Sequence, residues 1–152
     1  MTKSAKCPPG EVLNEKVDAH THFARLADSY GDDYKDMHHK KYPANRFRLN
    51  IVKEILSSIE PKKIIDIGCG TGDPLIEVSE MNLDIVGFDY SDQMVKKARE
   101  NVSAAGLPKN RIFQDDMEKP RWIEENSFDC MLALGSVYYA RNFASTMANL
   151  VA

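Results

Sequence analysis

Residues 64 to 72 read IIDIGCGTG, and few folds accept such a run. A short apolar strand ends at Asp66, and a loop with glycine at Gly68, Gly70 and Gly72 follows it. Asp73 and Pro74 then open a helix, as a capping acid followed by a proline at the first helical position. Glycine lets the backbone turn sharply and lets a ligand lie almost on the main chain. The start of a helix adds unpaired N–H groups and a partial positive charge, which suit a carboxylate or phosphate. A second apolar run, LDIVGFDYS, ends at Asp89, where an acid can grip the two hydroxyls of a ribose.

Strand and helix patterns alternate around this centre. Glu11 to Asp28 reads as an irregular helix through Leu13, Val17, Phe23 and Leu26, and DSYGDDYKDMHHKKYP as a loop or short helix, a candidate lid. Ala44 to Glu60 is a clearer helix: Phe47, Ile51, Ile55 and Ile59 recur every fourth residue, with Val52 and Leu56 beside them, until Pro61 stops it. Strands are predicted at Lys63–Asp66, Leu83–Phe88, Arg111–Gln114 and Phe128–Leu134. Between them run a helix from Asp73 to Met81 and one capped by Ser91, with Met94, Val95, Ala98 and Val102 on one face and Gly106 at its end. Asn142 to Leu150 begins a further helix. Such alternation implies a parallel sheet with right-handed crossovers, an α/β fold.

Composition narrows the function. The 152 residues suit one domain with a real core, and the net charge of −3 argues against a nucleic-acid surface, which needs a basic excess. Cys7, Cys69 and Cys130 are odd in number and lack CxxC spacing, which fits a reducing cytoplasm rather than a disulfide framework or a zinc site. His20, His22, His38 and His39 have no third ligand at a helpful spacing, so no metal is expected. No apolar run approaches the ~20 residues of a membrane span.

The glycine spacing separates two nucleoside classes. A dinucleotide site wants G-x-G-x-x-G, whereas this loop is D-x-G-x-G-x-G. On these residues the chain resembles the class I S-adenosylmethionine-dependent methyltransferases. The resemblance implies a Rossmann-like, doubly wound parallel sheet and S-adenosylmethionine as cofactor. It implies that Asp66, Gly68, Cys69, Gly70 and Gly72 pack against the methionine end, and that Asp89, with Tyr90 beside it, binds the ribose. In QDDM, Asp116 matches the acid that accepts from the adenine amino group and Met117 supplies the next N–H; a slip of register gives that role to Asp115. The stretch SFDCMLALGSVYYARN matches the fourth strand and the loop facing methyl group and acceptor, which exposes Leu134, Gly135, Ser136 and Tyr138. Ser136 and Tyr138 are the catalytic candidates, although Tyr138 and Tyr139 read equally well as packing, and no base can be assigned.

Two further positions follow from the resemblance. NRFRL resembles the N-x-x-R-L stretch of the ubiquinone-pathway methyltransferases, which implies that Arg48 reaches the carboxylate of the cofactor's methionine; a solvated helix arginine is the other reading. Tyr30 matches a lid tyrosine of many small-molecule methyltransferases, or is a surface aromatic. The expected organisation is a tail and helical cap over residues 1–43 and a cofactor domain over residues 44–152. The family's domain has seven strands and only the first four are expected here, so the sheet is expected to be C-terminally truncated. The expected activity is methyl transfer to a small-molecule acceptor, with a non-catalytic binding or interaction module as one alternative and a nicotinamide-binding fold as another. An uncovered fourth strand, CMLAL, would be able to pair with another chain, so the expectation is either that the 152 residues are a fragment of a longer product or that a second copy or a partner chain completes the sheet.

Overall fold

The computed structural model of the chain describes residues 16–35, 43–121, 123 and 128–151. The predicted tail, Cys7, His38 and His39 lie outside the described residues, as does the start of the first predicted helix. The described elements are α1 (Lys16–Leu26), α2 (Pro43–Ile59), β1 (Lys63–Ile67), α3 (Asp73–Ser79), β2 (Asp84–Asp89), α4 (Asp92–Ala104), β3 (Ile112–Gln114), β4 (Cys130–Leu132) and α5 (Phe143–Leu150). Single 3-10 turns stand at Tyr30–Tyr34, Lys109–Arg111 and Val137–Tyr139.

The four strands form one parallel sheet in the order β3-β2-β1-β4, and β1 sets its register by pairing Ile65 with Val86 on one side and with Met131 on the other. Successive side chains of a strand point to opposite faces. Ile64 and Ile85 therefore join Leu56, Leu75, Val95 and Val102 on one face, while Ile65, Ile67 and Phe88 pack with Leu150 of α5 on the other. Burying both faces explains why these strands read as continuous apolar runs. The fold is the α/β, Rossmann-like doubly wound sheet expected from the sequence. The strands carry different bounds: the fourth covers only Cys130–Leu132, so Leu134 lies in the loop beyond it.

Two local expectations change. Gly72, at φ 82°, rather than Asp73 occupies the cap of α3, because the chain must leave the loop in a left-handed turn. The four-residue repeat of α2 marks a helix but not its buried face: Phe47, Ile51, Ile55 and Ile59 are 40–57% exposed, whereas Leu49 and Leu56 are buried. Glu77 of α3 fixes this rotation by taking Arg46 at one carboxylate oxygen and Lys53 at the other, at 3.0 Å for the lysine. Arg46, Leu49, Lys53 and Leu56 share one stripe of the helix, so those ion pairs and the core contacts form together. Ser91 caps α4 as expected, accepting from the Met94 N–H, and Gly106 at φ 80° ends it while the Leu107 N–H returns to the Val102 carbonyl at 2.8 Å.

Candidate cofactor site

The carboxyl ends of β1, β2 and β4 open into one cavity, roofed by α1 and the Tyr30 turn. An open α/β sheet presents its ligand crevice at this end of its strands. The glycine loop forms the floor. Gly68, Gly70 and Gly72 all adopt positive φ, at 70°, 55° and 82°, and each has a different neighbour. A Cβ on Gly68 would lie 2.4 Å from the Ser136 Cβ, so this glycine admits the loop after β4. A Cβ on Gly70 would stand 3.2 Å from the Tyr30 ring, inside the cavity. One on Gly72 would press against Ala98 at 3.3 Å, so Gly72 serves the packing of α3 on α4 rather than the cavity. Asn101 of α4 secures the loop by donating to the Thr71 carbonyl at 2.9 Å.

Asp89 links loop to strand. One carboxylate oxygen accepts the Gly70 N–H at 3.0 Å and the other accepts the Ser91 N–H at 2.9 Å. Burial pushes its pKa up, and these backbone donors pull against that rise. Each carboxylate oxygen can accept more than one hydrogen bond, so the backbone contacts do not exhaust the group. Asp66 lies beneath the floor, 1% exposed, and its Oδ2 has no hydrogen-bond partner among the described residues. Burial, with the charge of Asp89 adding to it, raises its pKa from 3.8 to about 7.

The two acids after β3 divide their tasks. Asp115 is buried and accepts from the backbone N–H groups of Asp116 and Arg121, at 2.9 and 2.8 Å, so it ties the loop together. Asp116 is half-buried and accepts the Glu118 N–H at 3.0 Å; it lines the cavity with Met117, as Asp115 also does. Leu134, Gly135 and Ser136 line it from the β4 side, with Tyr30 and Tyr90 also on its wall. The Ser136 hydroxyl donates to the Ile67 carbonyl, so its proton is engaged.

Five sequence candidates stand off the cavity wall. Cys69 points into the core opposite Gly87, where burial raises its thiol pKa further. Gly72 and Asp66 are placed as described above. Tyr138 is 67% exposed and shares a hydroxyl contact of 2.9 Å with Tyr139. Arg48 also lies off the wall: its guanidinium meets Asn45, and a Cβ on Gly135 would come within 3.1 Å of it. Sequence reasoning missed other cavity residues. His20 and Phe23 enter from α1, and Phe88, Ser91, Met94, Glu118 and Tyr139 also line the wall. His20 sits 3.3 Å from Asp92 and edge-on to Tyr90, tying α1 to the start of α4. The Tyr30 segment already reads as a lid; for His20 and Phe23 the aromatic spacing of HTHF on α1 is the one signal, and it reads the same as ordinary packing.

A family described as "Methyltransferase domain" matches residues 64–152. The chain is 32% identical to a carboxy-S-adenosyl-L-methionine synthase of Nautilia profundicola, over 71% of this chain and 47% of that protein. It is 30% identical to a ubiquinone biosynthesis O-methyltransferase of Nitrosomonas europaea, over 85% of this chain and 55% of that protein. It thus spans about half the length of these curated relatives. Among solved structures, magnesium protoporphyrin IX methyltransferase from Synechocystis PCC 6803 with bound SAH superposes with a TM-score of 0.71 at 16% identity, over 90% of this chain and 66% of that one, a likeness of fold. With its glycine loop, its acid at the end of β2 and a family match over residues 64–152, the chain belongs to the methyltransferase-domain family, of the class I S-adenosylmethionine-dependent type.

Proposed function

We propose that the cavity above the glycine loop holds S-adenosylmethionine and that the chain takes part in methyl transfer to a small-molecule acceptor. The observation that carries this is Asp89: its carboxylate is fixed from behind by Gly70 and Ser91 N–H groups and faces a cavity that suits a ribose. One further feature fits the cofactor. The space beside Gly70, inside the cavity, would be lost to any side chain.

When bound, the cofactor supplies a methyl group already activated on a positively charged sulfonium. The chain's part is to position. Asp89 orients the ribose, and Asp116 with the Met117 N–H receives the adenine edge. Arg48, beside Gly135, is close enough to the loop after β4 to take a carboxylate there. Ser136, held on the Ile67 carbonyl, keeps that loop fixed against Gly68. The α1 roof, with Tyr30 over Gly70, limits water at the reacting end and serves as the lid of a cap separate from the cofactor domain. Orientation of this kind can supply about 7–11 kcal/mol in favourable cases. A base is needed only for an acceptor that must lose a proton.

No helix among the described residues is long and apolar enough to cross a membrane, and Cys69 and Cys130 are free thiols, which supports a cytoplasmic setting. The acid-lined cavity gives no support to nucleic acid as acceptor. The outer edge of β4 has no paired strand among the described residues, which supports association with a second copy or a partner chain at that edge. Calorimetry with S-adenosylhomocysteine and with NAD tests the cofactor assignment: the first binds and the second does not. Binding of NAD alone would return the fold to nicotinamide chemistry. Binding of S-adenosylhomocysteine without methylation of any small-molecule acceptor would favour a non-catalytic module.

A further inference from the structure

The roof of the cavity is aromatic. Phe23 meets Tyr30 at a centroid distance of 6.1 Å and an interplanar angle of 83°, and meets Tyr139 at 5.0 Å and 90°. All three rings line the same cavity as Gly68, Gly70 and Asp89. They come from three separate parts of the chain: α1, the 3-10 turn after it, and the turn after β4. Rings at right angles form a corner, and a group lying in that corner meets ring faces rather than only edges. Ring faces carry the negative lobe of the aromatic quadrupole and attract cations.

The charges point the same way. Among the described residues lining the cavity there is no lysine or arginine, while Asp89, Asp115, Asp116 and Glu118 all line it; even with Arg121 paired to Asp115 and Arg48 standing beside Gly135, acids outnumber bases around it. Tyr30 stands over Gly70, and Ser136, just before the Tyr139 turn, stands against Gly68, so the aromatic corner lies at the glycine-loop end. His20 and Tyr90 mark the other end, near Asp92. We propose that Phe23, Tyr30 and Tyr139 form a cation-selecting corner that recognises the sulfonium charge, so that the cavity distinguishes the charged cofactor from its neutral thioether product. This rests on the cofactor assignment made above. Its consequence is directional: transfer of the methyl group abolishes the charge, and the rings then release the product more readily than they held the cofactor.

The test is calorimetry of the chain with S-adenosylmethionine and S-adenosylhomocysteine. The native chain prefers the former. Tyr139→Leu and Phe23→Leu each reduce that preference by about two- to thirty-fold, the range expected for one cation–π contact, and change S-adenosylhomocysteine affinity far less. Tyr139→Phe retains the ring and retains the preference. An unchanged preference in the leucine variants, or an equal loss for both ligands, overturns the proposal and leaves the rings as packing. If either leucine variant fails to unfold cooperatively, the pair Tyr30→Leu and Tyr30→Phe decides by the same ratio. Asp89→Ala separates this proposal from its basis: undiminished S-adenosylhomocysteine binding in that variant removes the cofactor from this cavity, whereas diminished binding with an unaltered preference in the ring variants rejects the aromatic corner alone.

Discussion

Asp89 accepts the backbone N–H of Gly70 across 3.0 Å, so the acid at the end of β2 and the middle glycine of the loop after β1 form one unit. The bond sets the loop's height above the sheet and aims the carboxylate at the same time. A change at either residue therefore acts on the other.

Asp89→Ala is expected to weaken S-adenosylhomocysteine binding by about 1.5–3 kcal/mol, as for hydrogen bonds to a charged group. Asp89→Asn keeps the shape and loses less. Calorimetry, paired with a thermal melt to show that the fold survives, checks both. Native affinity in the alanine variant would remove Asp89 from the site.

The glycines separate by position. Gly68→Ala forces a Cβ to within 2.4 Å of Ser136 at a φ of 70°, so it lowers the unfolding midpoint. Gly70→Ala, strained at a comparable φ of 55°, meets only the Tyr30 ring at 3.2 Å, so it loses less stability and acts chiefly by weakening ligand binding inside the cavity. Urea titration and calorimetry on the two variants check the contrast, and a reversed order would mean that the loop is read wrongly.

Asp66 gives a pH signature. Its folded pKa, about 7, lies above its ordinary 3.8, so the folded state holds a proton that the unfolded chain releases. Its contribution is fully present below pH 3.8 and is lost as pH rises to about 7, beyond which it stays lost. Asp66→Asn removes the buried charge. The variant's stability relative to the native chain should rise between those pH values and level off above them. A pH-independent difference in urea midpoints would show that Asp66 stays ionised when folded.

Arg48→Lys tests the carboxylate role. A lysine keeps the charge but not the planar fork, so S-adenosylhomocysteine affinity should fall while adenosine affinity stays as it was. Equal losses for both ligands would make Arg48 a support for the loop at Gly135.

The rotation of α2 is open to a direct check. Leu56→Ala should cost about 2–5 kcal/mol, as for a fully buried leucine, while Ile55→Ala should change stability by less than about 1 kcal/mol. Chemical denaturation of both variants measures this. Comparable losses would mean that the exposed stripe is covered in solution.

Much of the molecule was legible in the chain itself. The apolar runs and the glycine spacing determine the alternating strands, their parallel pairing and the place of the crevice, because backbone conformation and the burial of both sheet faces depend on local residue type. The caps at Ser91 and Gly106 are equally local. The rotation of α2 was not legible, since two apolar stripes compete and Glu77, far along the chain, selects between them through Arg46 and Lys53. Nor was the division between Asp115 and Asp116, which depends on the Arg121 N–H. The aromatic roof likewise depends on three segments meeting above one loop: Phe23 looks like core on its own helix, and becomes a cavity wall only beside Tyr30 and Tyr139. Sequence determined what each segment forms; tertiary structure decided which faces meet, because those contacts join residues that no local pattern connects.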